Sequence, residues 1–482
     1  MTSPDAAGSV QLADSTSASA VLHAVLAEAV AAFPAALASA GLPTRAERFR
    51  ANYRELLPRF EAARLASPER FHIARHLAAA VQRRLVWQDA RGTRPLDEQL
   101  EAPGEVLPLE ERTFPGLPGW RPDLVYRGAR WDALRLAELG TELARRDIVT
   151  PQAADALVWM AAQLDGDGLL HLAGRRIVVL GAGAEMAPTR FWLEAGADVL
   201  WLDRVPPPEE WLSSDRLAGR LHWPRADVDL LARPQAVLAT IRAFAANGPV
   251  DLGLYAYAPG QAREMRLTGV MNAIVSALPA ELVASATMLV SPTTPTGLDA
   301  QDRAAMDARR AARPAWEAAL ARLGLLGRGP GRVECGDAAA VRSVVAIQGA
   351  SYQAAQYLGK IITAECWASH GAPQRDAPAP LRVSANTAAI TRTRSLDHPV
   401  FAAAFGGAGA FGVETFTPRQ SRRINGLLAL HDWLRTEPPI PGAVRVHGGI
   451  HTLPYPLEPA LMVAAGFGFV RSPRLLRGLF RR

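Results

Sequence analysis

The window from Arg175 to Asp203, RRIVVLGAGAEMAPTRFWLEAGADVLWLD, constrains this chain more than any other. A short run of Ile, Val and Leu ends at Gly181 and Gly183, a helix-compatible stretch follows, and a second apolar run ends at Asp203. Apolar runs of this length, bounded by glycine, suit buried strands, and strands alternating with helical stretches build a parallel sheet through crossovers. Glycines at a strand-to-helix turn let the chain turn tightly and let its backbone approach a pyrophosphate. An acid about twenty residues on, at the end of the next strand, can accept hydrogen bonds from an adenosine ribose. Met186 stands at the third glycine position of such a turn, with Ala187 beside it, which predicts a wider loop.

The same grammar continues downstream in DLGLYAYA, ATMLVSP and LRVSAN. The expected fold class is therefore α/β: a doubly wound Rossmann-type parallel sheet from about Arg175 to about Thr393, with a helical N-terminal extension and an irregular C-terminal extension. Residues 1–20 are rich in Ser, Ala and Asp and are expected to be disordered. Residues 21–170 read as helical, interrupted by a Pro-rich arm at 88–125. The dinucleotide unit is expected over 171–395 with a helical insertion at 299–335, followed by an extension over 396–482. The expected cofactor is NAD(H) or NADP(H), held by Gly181, Gly183, Met186 and Asp203. Asp203 favours NAD(H), because a carboxylate repels a 2′-phosphate, whereas Arg204 beside it could pair with one.

Composition narrows the partners. The net charge is +6 in 482 residues, but charges are mixed along the chain. No basic stripe with interleaved aromatics precedes the C-terminal tail, so a nucleic acid is not the expected partner. The first twenty residues lack a basic segment followed by an apolar one, and no stretch reaches the ~18 apolar residues of a membrane span. A cytoplasmic location follows as the expectation. The tail ALMVAAGFGFVRSPRLLRGLFRR is too short to span a bilayer, yet a basic amphipathic end can lie on an anionic membrane surface. That contact would make a lipid-like small-molecule substrate attractive. The N-terminal helices are expected to cap the site or to form a homodimer interface.

Cys335 and Cys366 are too few for a disulfide framework and read as buried small residues. His447 and His451 lie four apart, but Gly448 and Gly449 between them make a ligating helix a poor reading. His72 and His76 do have helical spacing, in an Arg-rich amphipathic helix where packing or solvation accounts for them. No metal site is expected.

Lys360 is the only lysine in the chain. Where arginine has replaced lysine throughout, a surviving lysine points to a place that arginine cannot fill, since arginine is bulky, planar and never deprotonated.

From the glycine turn onward the sequence resembles the short-chain dehydrogenase/reductase family over about 220 residues. MRLTGVMNAIVSALP is similar to that family's helix before its fifth strand, ATMLVSPTTPTG to the strand carrying its serine, GASYQAAQYLGKIITAE to its active-site helix, and LRVSANTAAITRT to the strand and loop over the nicotinamide. The resemblance implies hydride transfer between a nicotinamide and a carbonyl or alcohol carbon. In it a tyrosine carries the proton, a lysine tunes that tyrosine and holds the ribose, and a serine orients the substrate. Lys360 falls in the lysine's region, but Gln356 stands four residues before it, Tyr357 three before and Tyr352 eight before. Either tyrosine can share a face with Lys360, within about 60–80° on a helix of 3.6 residues per turn. Tyr357 is the first choice and Tyr352 the second. Ser291 or Thr293 (with Thr294 beside them) would take the serine's part, and Arg266 aligns with the family's helix-borne asparagine. The rival expectation is a non-catalytic Rossmann protein that binds a cofactor or serves as a scaffold.

Overall fold

The computed structural model describes residues 8–13, 17–260, 262–366, 382–387, 390–393, 399–435 and 445–475. Its centre is a seven-stranded sheet made of β1 (Leu109–Thr113), β2 (Arg176–Leu180), β3 (Asp198–Leu202), β4 (Arg220–Pro224), β5 (Val250–Leu254), β6 (Val283–Val290) and β7 (Arg382–Thr387). The strand order is β7-β6-β5-β2-β3-β4-β1. All neighbours run parallel except β1, which pairs antiparallel with β4 at the edge. Strands β2, β3 and β4 step outward one way and β5, β6 and β7 the other. This is a doubly wound, Rossmann-type topology, and its direction reverses between β2 and β5.

The pleat explains how the apolar runs are used. Successive side chains of a strand point to opposite faces. Ile177 and Val179 of β2 join Val199 and Trp201 of β3 in one core, while Val178 and Leu180 join Leu200 and Leu202 in the other. A strand buried on both faces needs an unbroken apolar run, and these two strands have one.

The helices that cover the sheet and shape its crevice are α1 (Ala18–Ala32), α2 (Ala46–Ala66), α3 (Arg70–Gln82), α4 (Thr189–Glu194), α5 (Arg263–Ala277), α6 (Gly349–Ile361), α7 (Pro399–Gly407), α8 (Pro418–Leu434) and α9 (Leu457–Arg471). Helices α1, α2 and α3 share one core with α5, α6 and the sheet, and α4 and α8 share the other with the helix Pro151–Ala161. The N-terminal helices are thus an outer layer of the Rossmann unit.

The expectation of disorder over residues 1–20 is corrected where the structure describes them. Ser9–Leu12 is a strand paired with Leu85–Asp89, and α1 begins at Ala18. Val10 is fully buried, and its N–H bonds Leu231 O at 2.8 Å. One well-placed apolar side chain and a full set of strand bonds outweigh a polar composition. The Pro-rich arm holds the hairpin partner Gly92–Pro95, a short helix and then β1, which extends the sheet. The insertion at 299–335 contains two helices, Ala300–Ala311 and Ala315–Arg322, and the strand Arg332–Cys335.

The apolar run of the C-terminal extension forms α9, which packs on α7. A Cβ at Gly407 would lie 1.8 Å from Ala464 O, and one at Gly468 would lie 1.8 Å from Ala403 O. Only glycine lets these two backbones meet so closely. Among the described residues no helix is long and apolar enough to cross a membrane. The basic end of the tail, 476–482, lies outside the described residues.

Candidate functional site

The strand order reverses between β2 and β5, and open α/β sheets bind ligands in the crevice beyond the strand ends at such a point. Gly181 closes β2 there with φ +86°, and a Cβ on it would lie 2.4 Å from Ala256 N. The position needs glycine twice over, for its conformation and for the approach of the chain leaving β5. Gly183 donates its N–H to Asp203 Oδ2 at 2.8 Å, and Asp203 Oδ1 accepts from Val205 N at 3.3 Å. Asp203 therefore braces the turn against the end of β3. It is half-buried, and a carboxylate has about four acceptor positions, so it keeps capacity for a further donor. Arg204 points to solvent, with Nε 3.7 Å from Asp229 Oδ2. Without a third glycine, the chain makes a loose loop through Met186, and α4 begins only at Thr189.

A cleft of about 480 Å³ opens from this crevice. Its walls are the loop 184–186, the ends of β5 (Leu254–Tyr257) and β6 (Met288–Thr293), one face of α6, and apolar side chains of the C-terminal extension, including Phe401, Phe405, Phe411 and Leu461. Most of the lining is apolar, and one group of polar side chains stands at the end of β6 and the facing part of α6. That is the usual construction of a small-molecule site, in which few polar groups fix orientation and an apolar wall supplies burial.

The polar cluster is well knit. Ser291 Oγ and Thr293 Oγ1 are 2.8 Å apart, and Thr293 Oγ1 donates to Gln348 Oε1 at 2.6 Å. Gln356 Oε1 accepts from Ser291 N at 2.8 Å and so fixes the loop after β6. Tyr352 stands on the cleft wall with its ring edge-to-face against Tyr257, centroids 5.9 Å apart. Burial pushes the Tyr352 hydroxyl above the usual phenol range, and a hydrogen bond with Ser291 pulls the other way. Glu264 also reaches the cleft, with Oε2 buried and unpartnered among the described residues.

The register of α6 decides which tyrosine meets the cleft. At about 100° per residue, Tyr352 and Gln356 lie within about 40° of each other, whereas Tyr357 lies about 140° round from Tyr352. Tyr352 and Gln356 line the cleft; Tyr357 and Lys360 do not. Tyr357 is fully buried and donates to Glu61 Oε2 at 2.8 Å. Lys360 donates to Glu61 Oε1 at 2.8 Å and to Pro295 O. Arg64 joins Glu61 to Glu365, with Nε 3.0 Å from Glu61 Oε2 and Nη1 2.6 Å from Glu365 Oε2, and Arg70 closes the chain of charges. Burial opposes the Glu61 charge, but Arg64 and Lys360 hold its carboxyl well below the usual range. Burial pushes the Tyr357 hydroxyl far up, and the Glu61 charge adds to this. Tyr357 and Lys360, the first-choice pair, lie together in an ion network between α2 and α6, away from the cleft.

The structure thus gathers Met186, Ser291, Thr293 and Tyr352 around one cleft, ties Gly183 to Asp203 at the ends of β2 and β3, and leaves Tyr357 and Lys360 outside the cleft. A comparison with protein-family models and with curated proteins gives no match. Arg266 lies elsewhere, bonding Val10 O and Gln11 Oε1 at 3.2 and 2.8 Å to hold the N-terminal strand. His447 and His451 are buried with stacked rings, centroids 4.9 Å apart, in a stretch of turns. Burial lowers His451 to about 4. Cys366 is buried, which pushes its thiol up to about 11. Gln348, Gln356, Glu264 and Tyr257 escaped sequence reasoning. The i, i+4 spacing of Tyr352 and Gln356 was the one available signal for any of them.

Proposed function

We propose that the chain is a dinucleotide-dependent oxidoreductase, related in design to the short-chain dehydrogenases and reductases, that acts on a largely apolar carbonyl or alcohol substrate. The observation that carries this reading is the shared cleft: a tyrosine and a serine–threonine pair face the crevice at the sheet's switch point. The residues suited to hold NAD(H) or NADP(H) are the turn at Gly181 and Gly183 and the carboxylate of Asp203, with Arg204 as the alternative partner for a 2′-phosphate. NAD(H) is preferred because Asp203 stands at the end of β3. Such a cofactor supplies or accepts the hydride.

The protein's own part is acid–base and positional. With no lysine beside it, and with burial raising it, Tyr352 keeps its proton at neutral pH. It is therefore suited to give that proton to the substrate oxygen in the reductive direction, a role worth typically 10²–10⁴-fold in rate. Ser291 is suited to turn its hydroxyl from Thr293 to the same oxygen, Thr293 stays bound to Gln348, and Gln356 fixes the Ser291 backbone. The apolar wall excludes water and favours an extended, lipid-like substrate. Titration calorimetry with NADH and NADPH on wild type and Asp203→Ala tests the cofactor assignment. Binding that weakens on substitution supports it, and absence of binding to wild type overturns it.

Gln356, standing where the family carries its lysine relative to Tyr352, favours a second reading, a cofactor-binding protein without turnover. Retained NADH binding with no hydride transfer to any carbonyl compound would select it.

A further inference from the structure

Beyond Met186 the chain leaves the cleft, and Ala187 and Pro188 line a second cavity of about 670 Å³. Six arginines face it from four separate segments: Arg121, Arg190, Arg216, Arg419, Arg422 and Arg423. The lining holds one carboxylate, Glu194, and it is already engaged by Arg190 Nε at 3.1 Å. Among the described residues none of the other five arginines is ion-paired with a carboxylate. The Nε atoms of Arg422 and Arg423 are buried and lack any acceptor among the described residues.

Five guanidinium groups with no directly bonded carboxylate converge on one hollow; Arg121, Arg216 and Arg419 are exposed, and Arg422 and Arg423 are half-buried. Burial disfavours the charge on Arg422, with Glu185 opposing that and Arg190 and Arg419 adding to it; burial and Arg419 disfavour the charge on Arg423, against Asp123 and Glu194. Guanidinium groups stay charged, so an anion entering the hollow is attracted by all of them at once. The buried Nε atoms add a second demand, because a buried donor without an acceptor is unfavourable until something accepts from it. Planar guanidinium forks match the oxygens of phosphate in pairs. The site is a hollow, not a ridge or stripe, which suits a small molecule and not a nucleic-acid backbone. Trp211 on its wall, with Arg190 above the ring at 5.9 Å, offers an aromatic surface to the rest of such a ligand.

We propose that this arginine-lined cavity binds a small molecule bearing two or more phosphate groups, separately from the cleft. The proposal does not depend on the oxidoreductase reading.

Titration of the full chain with inorganic pyrophosphate tests it. Wild type should bind one pyrophosphate, and Arg422→Gln/Arg423→Gln should lose at least about tenfold in affinity. Thermal melting of the double variant should match or exceed that of wild type, since crowded like charges are removed. Saturating NADH should leave pyrophosphate binding unchanged. No binding to wild type, equal binding to the variant, or displacement by NADH would each overturn the proposal; displacement would assign these arginines to the phosphates of the dinucleotide. Should the double variant not fold, Arg419→Gln, at an exposed position, provides the same comparison, with a loss of about threefold or more expected.

Discussion

Lys360 Nζ donates to Glu61 Oε1 at 2.8 Å although the two residues are 299 apart in the chain, and both side chains are buried. The bond ties helix α2 of the N-terminal layer to helix α6 of the Rossmann unit. A compact ammonium meets both Glu61 and Pro295 O there, a geometry to which a bulkier planar guanidinium is less suited. Removing one member of a buried ion network leaves an uncompensated charge. Lys360→Met should therefore cost about 3–5 kcal/mol of stability. Chemical denaturation measures this, and turnover per folded molecule should change little. A stable variant without activity would instead place the amine in the chemistry.

Gly181 carries φ +86° with Ala256 N in the space a Cβ would take. Gly181→Ala combines a strained backbone with a backbone clash, and such terms add about 1–3 kcal/mol each. The expected result is a lowered melting temperature together with weakened dinucleotide binding. A variant as stable as wild type would show that the turn has another conformation available.

Asp302 is buried near Asp299 and Asp147, and burial first, then the Asp299 charge, pushes its carboxyl up to about 7. The folded state therefore holds a proton that the unfolded state releases near the ordinary value of 3.8. Between these values the folded state binds more protons, so stability falls as pH rises through the window, by on the order of 4 kcal/mol for this group. Asp302→Asn should remove that slope. Unfolding free energies of both proteins at pH 5 and pH 8 check it, and parallel pH dependences would contradict it.

The sheet was readable where its strands are buried on both faces. The runs of β2 and β3 are apolar after their first residue, and those of β5 and β6 are mostly so, with Asp251, Ser285 and Thr287 buried among them, because helices cover the sheet on each side. Strand β4, RLHWP, escaped notice because Arg220 is exposed and His222 pairs with Asp198 at 2.7 Å. Strand β1, LEERT, escaped because an edge strand presents charged side chains to solvent. The lone lysine is buried against Glu61, which lies in a helix that sequence order places far away. Family spacing drew attention to Tyr357, whereas the register of α6 turns Tyr352 to the cleft. The arginine cavity was invisible for the same reason as Glu61, since four distant segments supply it.

If the chain is the proposed oxidoreductase, Tyr352 on the cleft wall, and not Tyr357, carries the proton. NADH oxidation, followed by absorbance with a panel of apolar aldehydes, ketones and conjugated carbonyls, tests it most directly on wild type, Tyr352→Phe and Tyr357→Phe. Wild type and folded Tyr357→Phe should turn over, and Tyr352→Phe should lose about 10²–10⁴-fold in rate with its melting temperature nearly unchanged. Undiminished turnover in Tyr352→Phe would contradict the account.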